Sequence, residues 1–238
     1  MSDEKPIALV TGASRGIGRA VALLLAKRGW RVVATARAQK ALEKLDDEIR
    51  AGGGEATLVP LDLKDHDGID RLGAALFERY GRLDGLAACA GVLGDLTPVA
   101  QARPPMMNEV IAVNLVANQR LIRSMDPLLR LAPAGRAVFA TSGVAQHPRG
   151  FWGPYAASKA GLEALVQIYA QEVALTNIKV NLVNPGPTRT TMRYKAFPGE
   201  DQNTLATPED VAPVFADLLA PTSTRHGEVV KFERAIAQ

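Results

Sequence analysis

The sequence predicts a doubly wound α/β fold, a parallel sheet of about seven strands with helices on both faces. Two observations predict it. Short runs rich in valine and alanine alternate with longer stretches of helical period along nearly the whole chain. Those short runs are apolar throughout, as strands covered on both faces must be. No linker, charge block or short-period repeat interrupts the alternation, so residues 1–238 read as a single domain.

Taken in order, Ile7-Ala8-Leu9-Val10 reads as a buried strand, and Ile17, Ala20, Val21, Leu24 and Leu25 mark one face of the helix after it. Gly29 closes that helix, as a residue tolerant of positive φ does. Arg31-Val32-Val33-Ala34 is the second strand, and Ala41 to Arg50 is a charged helix ended by Gly52-Gly53-Gly54. Thr57-Leu58-Val59-Pro60-Leu61 is the third strand, with a helix from about Asp67 to Tyr80. Then come a strand from Gly85 to Cys89, a helix from Met106 to Leu131, a strand from Arg136 to Ala140, a helix from Tyr155 to Leu175 and a strand from Val180 to Val183. Gly227-Glu228-Val229-Val230 suggests a last strand.

Composition narrows the function classes. A net charge of +3, with no basic block or interleaved aromatic strip, argues against nucleic acid. The single cysteine, Cys89, excludes an intrachain disulfide and fits a reducing compartment. Met1-Ser2-Asp3-Glu4-Lys5 is polar and acidic where a secretory signal is basic and then apolar, and no apolar run approaches the length of a membrane span. A cytoplasmic protein without a metal is expected.

Chemistry enters at the turn between the first strand and first helix, Thr11-Gly12-Ala13-Ser14-Arg15-Gly16-Ile17-Gly18. Glycine there lets the backbone turn sharply and approach a ligand closely, and the helix that follows offers free N–H groups and a positive dipole end to a pyrophosphate. A glycine-rich turn without a ligand is the plainer reading. After the second strand, an acid would pair with the ribose hydroxyls of NAD, whereas a base accommodates an additional phosphate. The chain has Thr35-Ala36-Arg37, and Arg15 lies inside the glycine turn, so NADP(H) is expected in preference to NAD(H); either arginine alone is equally a solvated charge. Farther on, Tyr155 and Lys159 stand at i and i+4, on one face of a helix. A neighbouring ammonium favours phenolate, and the expectation is a tyrosine pKa drawn down toward working pH.

The glycine spacing, together with Tyr155-Ala156-Ala157-Ser158-Lys159-Ala160, resembles the short-chain dehydrogenase/reductase family, and the resemblance runs to about residue 230. It implies a Rossmann domain. It implies that Asp62, in Leu61-Asp62-Leu63, meets the adenine ring, for which a turn aspartate is the rival role. Where the family carries Asn-Asn-Ala-Gly, this chain has Ala88-Cys89-Ala90-Gly91: Ala90 and Gly91 keep the small residues beside the cofactor, and Cys89 loses an amide bond in the sheet. Ser142, in Ala140-Thr141-Ser142-Gly143, matches the substrate-orienting serine, with Thr141 as competitor. Asn114 matches the residue that anchors a water near the lysine, against a plain structural role. Asn184-Pro185-Gly186-Pro187-Thr188 is similar to the segment that passes the nicotinamide carboxamide, with Pro185, Gly186 and Thr188 in contact.

The implied activity is hydride transfer between NADP(H) and a small carbonyl or alcohol, with Tyr155 exchanging the proton, Lys159 holding the ribose and Ser142 polarising the substrate. A non-catalytic NADP-sensing protein on the same fold is the alternative; an isomerase or dehydratase lacks room for its longer substrate domain. A short lid around 188–205, with Met192, Tyr194, Phe197, Pro198 and Gly199, covers the substrate. His147, Arg149, Phe151 and Trp152 are candidate pocket residues, and Arg189, Arg193 and Lys195 suit an anionic substrate or serve as solvated charges. Lys231-Phe232-Glu233-Arg234 replaces the family's usual Asp-Gly-Gly, and the apolar Tyr155–Leu175 helix suggests burial in a homodimer or homotetramer.

Overall fold

A computed structural model describes residues 5–234; Met1–Glu4, part of the polar start, and 235–238 lie outside the described residues. Seven strands form one parallel sheet: β1 (Ile7–Thr11), β2 (Arg31–Ala36), β3 (Glu55–Pro60), β4 (Gly85–Ala88), β5 (Arg136–Ala140), β6 (Lys179–Asn184) and β7 (Val229–Lys231). Their order is β3-β2-β1-β4-β5-β6-β7. The chain winds outward from β1 to β3, then returns to lay β4 beside β1 and winds the other way. Connections leaving β1 and β4 therefore part to opposite faces and open a crevice at the carboxyl edge, where such sheets bind ligands.

The helices are α1 (Gly16–Lys27), α2 (Gln39–Ala51), α3 (His66–Tyr80), α4 (Pro104–Ile111), α5 (Ala117–Leu131), α6 (Gly143–Gln146), α7 (Gly153–Glu172), α8 (Thr191–Ala196) and α9 (Pro208–Leu219). Each strand divides its side chains between two cores. Ala8 and Val10 of β1 pack with α1, α2 and α9, while Ile7 and Leu9 pack with α3, α5 and α7. Leu9 and Phe139 are wholly enclosed, and truncating either to alanine costs about 2–5 kcal/mol.

Several boundaries differ from the sequence reading. The single helix expected over Met106–Leu131 starts at Pro104 and is broken by a wider π turn at Ala112–Val116, which carries Asn114. β4 stops at Ala88, leaving Cys89 in the following loop. α7 ends at Glu172, and Leu175 is fully exposed beyond it. α9 was not anticipated, although Thr207-Pro208-Glu209-Asp210 spells its start: Thr207 accepts from the Asp210 N–H, Asp210 accepts from the Thr207 N–H, and Pro208 takes the first turn. The lid segment contains α8 and is tied to the body by a parallel bridge between Thr188 and Ala206.

Candidate active site

The crevice is a cleft of about 970 Å³ running from the start of α1 to the side of α7. Its nucleotide end is shaped by absent side chains. A Cβ on Gly12, whose φ is +67°, would stand 2.8 Å from the Ala90 Cα, and one on Gly18 would stand 2.5 Å from the Gly12 carbonyl oxygen. The glycine turn, the start of α1 and the loop after β4 are thus in direct backbone contact, and the Ala90 N–H donates to the Thr11 hydroxyl at 3.2 Å. No side chain caps α1 and no acid occupies its first turn, so its N–H groups and positive end face the cleft uncompensated. Arg15 and Arg37 line this end, exposed, with no ion pair among the described residues. Thr35 beside them keeps a buried hydroxyl without a hydrogen-bond partner. A phosphate-rich dinucleotide fits these groups.

Ser14, Gly16, Ile17, Asp62, Leu63, Gly91, Pro185, Gly186 and Thr188 also line the cleft. Asp62 accepts from the Lys64 N–H at 3.0 Å, so the rival turn role is filled as well. The Thr188 hydroxyl is directed to the Pro185 and Gly186 carbonyls at 3.1 and 3.3 Å.

At the other end, the helical spacing of α7 brings Tyr155 and Lys159 to the same wall, 8% and 3% exposed. The Lys159 Nζ donates to the Ala140 carbonyl at 2.8 Å and lies 5.9 Å from the centre of the Tyr155 ring. Ser142 leaves β5 in extended conformation as the N-cap of α6 and lines the same cleft as the phenol. Tyr155 is not acidified as its neighbouring ammonium led one to expect. Burial pushes the phenol up to about 12, with only the Ser142 hydrogen bond pulling it down. Burial likewise lowers Lys159 to about 8, against the opposing pull of Cys89 and Glu163. Burial pushes the partly buried Cys89 thiol in the same wall up to about 12, which leaves it inert at neutral pH.

Asn114 is wholly buried, and its amide is fully used. It accepts from the Val92 N–H at 2.8 Å and donates to the Val92 carbonyl and the Ser158 hydroxyl at 2.9 and 3.0 Å. It therefore pins the loop after β4 to α7. A Cβ on Gly91 would come within 3.4 Å of the Asn114 Oδ1 and 3.7 Å of the Lys159 Nζ, so these three meet at one point.

Around Tyr155 the walls are apolar: Leu93, Val144 and Ala156, backed by Leu96, Trp152, Met192 and Ala196. Of the four candidates between Ser142 and Tyr155, only Trp152 lines the cleft, edge-on to the Tyr155 ring at 6.0 Å. His147, Arg149 and Phe151 are exposed outside it. Arg193 and Lys195 both have partners, Arg193 half-buried and Lys195 exposed. Arg193 is paired with Glu200 and stacks on Phe197 at 3.9 Å, while Lys195 donates to the Gly94 carbonyl at 2.9 Å and, with Arg103, flanks Asp95. Leu93, Met106 and Val144 had no sequence signal, because only the fold brings the loop after β4, α4 and α6 together beside Tyr155.

These features define a class: a doubly wound dinucleotide fold whose cleft joins a phosphate-binding turn to a tyrosine, a lysine and a serine. The chain belongs to the short-chain dehydrogenase family, whose model matches residues 6–201. It is 37% identical over 222 residues to the uncharacterized oxidoreductase YciK of Escherichia coli (strain K12), covering 92% of this chain and 88% of that one. It is 34% identical over 192 residues to the 3-oxoacyl-[acyl-carrier-protein] reductase FabG of the same organism, covering 81% and 77%. A short chain dehydrogenase from Shigella flexneri 2a str. 301, solved in complex with NADP, superposes with a TM-score of 0.90 at 35% identity, covering 95% and 96% of the two chains.

Proposed function

We propose that the protein is an NADP(H)-dependent oxidoreductase interconverting a carbonyl compound and its alcohol, with Tyr155 as acid and base. The observation that carries this reading is the convergence of Tyr155, Ser142 and Lys159 in a cleft whose far end is the uncapped start of α1. Gly12, Ser14, Gly16, Ile17 and Gly18 hold the pyrophosphate, Arg15 and Arg37 the extra phosphate, Asp62 and Leu63 the adenine, and Ala90, Gly91, Pro185, Gly186 and Thr188 the nicotinamide half. The likeness to an NADP-bound structure supports that choice.

When bound, the nicotinamide supplies or takes the hydride. Ser142 donates to the substrate oxygen and fixes the carbonyl against Tyr155. With its pKa raised, the phenol is fully protonated at neutral pH, the form a reduction needs, and it gives that proton to the oxygen. The Lys159 ammonium then favours the phenolate left behind. Asn114 anchors the loop after β4 beside Lys159 rather than touching substrate.

The substrate proposed is a neutral carbonyl compound with an apolar body, because Leu93, Val144, Trp152 and Met192 surround the phenol, the cations Arg103, Arg193 and Lys195 are committed to Asp95, Glu200 and Gly94, and the remaining one, the exposed Arg189, lies in the field of Asp210. The rest of the reading is one domain over 1–238 with a lid over 188–205, a cytoplasmic setting, and a homo-oligomer that covers the exposed Ile168 of α7. The test follows NADPH consumption with neutral ketones, β-ketoacyl thioesters and 2-oxo acids. The reading expects kcat/KM for the best neutral ketone or thioester to exceed that for 2-oxo acids by about tenfold or more. NADPH binding without turnover on any of them overturns it in favour of a nucleotide-binding protein.

A further inference from the structure

We infer that Glu163 is a positioning residue of this site, clamping the turn that carries Ser142 onto α7 and holding the charge on Lys159. Its consequence for turnover rests on the oxidoreductase reading, whereas the clamp and the charge do not.

Tyr155, Lys159 and Glu163 follow one another at four-residue intervals along α7, so they share one face. The first two open into the cleft. Glu163 does not line it, and it lies 8% exposed one turn deeper. Its carboxylate accepts from the Thr141 hydroxyl at 2.7 Å and from the Gln146 amide at 3.2 Å. These donors bracket Ser142: Thr141 precedes it, and Gln146 ends the helix that Ser142 starts. The Thr141 N–H is in turn held by the Val183 carbonyl of β6 at 2.8 Å. The backbone entering Ser142 is thus fixed from the sheet on one side and from α7 on the other.

Charge supplies the second half. Burying a carboxylate is costly unless something compensates it, and its two donors here are neutral. The cation one turn earlier is Lys159, whose own hydrogen bond is spent on the neutral Ala140 carbonyl. The groups facing the Lys159 amine are Tyr155 and Glu163 from α7, the Cys89 thiol from the loop after β4, and two neutral partners, the Ala140 carbonyl of β5 and the Asn114 amide of the π turn. Cys89 first and then Glu163 oppose the burial that pulls the amine down, and Glu163 is the carboxylate of the two. A carboxylate present only for packing would be replaced by glutamine without consequence for Lys159.

The test uses cofactor-free full-length protein. Acetic anhydride labelling of Lys159, read by mass spectrometry across pH, gives the midpoint of the amine in the wild type and in Glu163→Gln, which keeps the shape and an acceptor for Thr141. The inference expects the midpoint to fall by roughly half a unit or more in the variant. An unmoved midpoint overturns it. Glu163→Leu removes the clamp as well, and its kcat is expected to drop about tenfold or more while the NADPH dissociation constant stays within about threefold. Equal losses in both refute the clamp, and if this variant does not fold, the Glu163→Gln midpoint decides. Should the midpoint move in a protein that reduces no carbonyl, the oxidoreductase reading falls and the Glu163–Lys159 coupling stands.

Discussion

Gly18→Ala isolates the phosphate-binding turn from the rest of the molecule. The added Cβ would sit 2.5 Å from the Gly12 carbonyl oxygen, 2.8 Å from its carbon and 2.9 Å from the Thr11 oxygen, all of them backbone atoms that cannot rotate away. Restoring an ordinary contact of 3.4 Å moves the start of α1 away from the turn by roughly 0.9 Å. An N–H to phosphate hydrogen bond lengthened by that amount is no longer one. Losing one or two charge-assisted bonds at about 1.5–3 kcal/mol each weakens NADPH binding by a factor between roughly ten and 20,000. Overpacking also costs about 1–3 kcal/mol of stability. The control is Gly29→Ala, at φ +85° with nothing within 4 Å of the new Cβ: it costs about 1–2 kcal/mol of backbone strain and leaves binding unchanged. NADPH fluorescence titrations beside thermal melts separate the two effects. Gly18→Ala binding NADPH within about threefold of wild type, or Gly29→Ala losing as much affinity, would refute the reasoning.

Arg37→Asp places an acid where a 2′-phosphate would sit, so the ratio of kcat/KM for NADPH over NADH should fall by about a hundredfold; an unchanged ratio excludes Arg37 from cofactor choice. Lys159 sets a stability slope. Burial holds its amine at about 8 against an ordinary 10.5, so between those values the unfolded chain binds the additional proton and stability rises with pH. Across that window the wild type should gain about 3 kcal/mol relative to Lys159→Met in denaturant melts, and a flat difference contradicts the burial argument.

What the sequence disclosed was whatever local chemistry encodes. The apolar runs at Ile7–Val10 and Ala137–Ala140 are strands because both faces are covered, and composition alone says so. The glycine turn and the Tyr155–Lys159 spacing announce themselves for the same reason, since each is a short-range requirement. The π turn at Asn114 was hidden, because its residues suit an ordinary helix and the distortion answers to Val92 and Ser158 across space. The electrostatics of Tyr155 are half legible: the lysine beside it is visible in the sequence, but the enclosure by Trp152, Val144 and Met192 that pushes the phenol up is not. The start of α9 is written in its capping box, Thr207-Pro208-Glu209-Asp210.

Tyr155→Phe removes one oxygen from a side chain whose ring is already packed against Trp152, and so leaves the cleft intact. With a carbonyl substrate in hand, single-turnover rates of this variant beside NADPH binding test the proton-transfer role most directly. The rate should fall about a thousandfold with the dissociation constant within about threefold. A variant that keeps a tenth or more of the wild-type rate, roughly, would show that the proton comes from elsewhere.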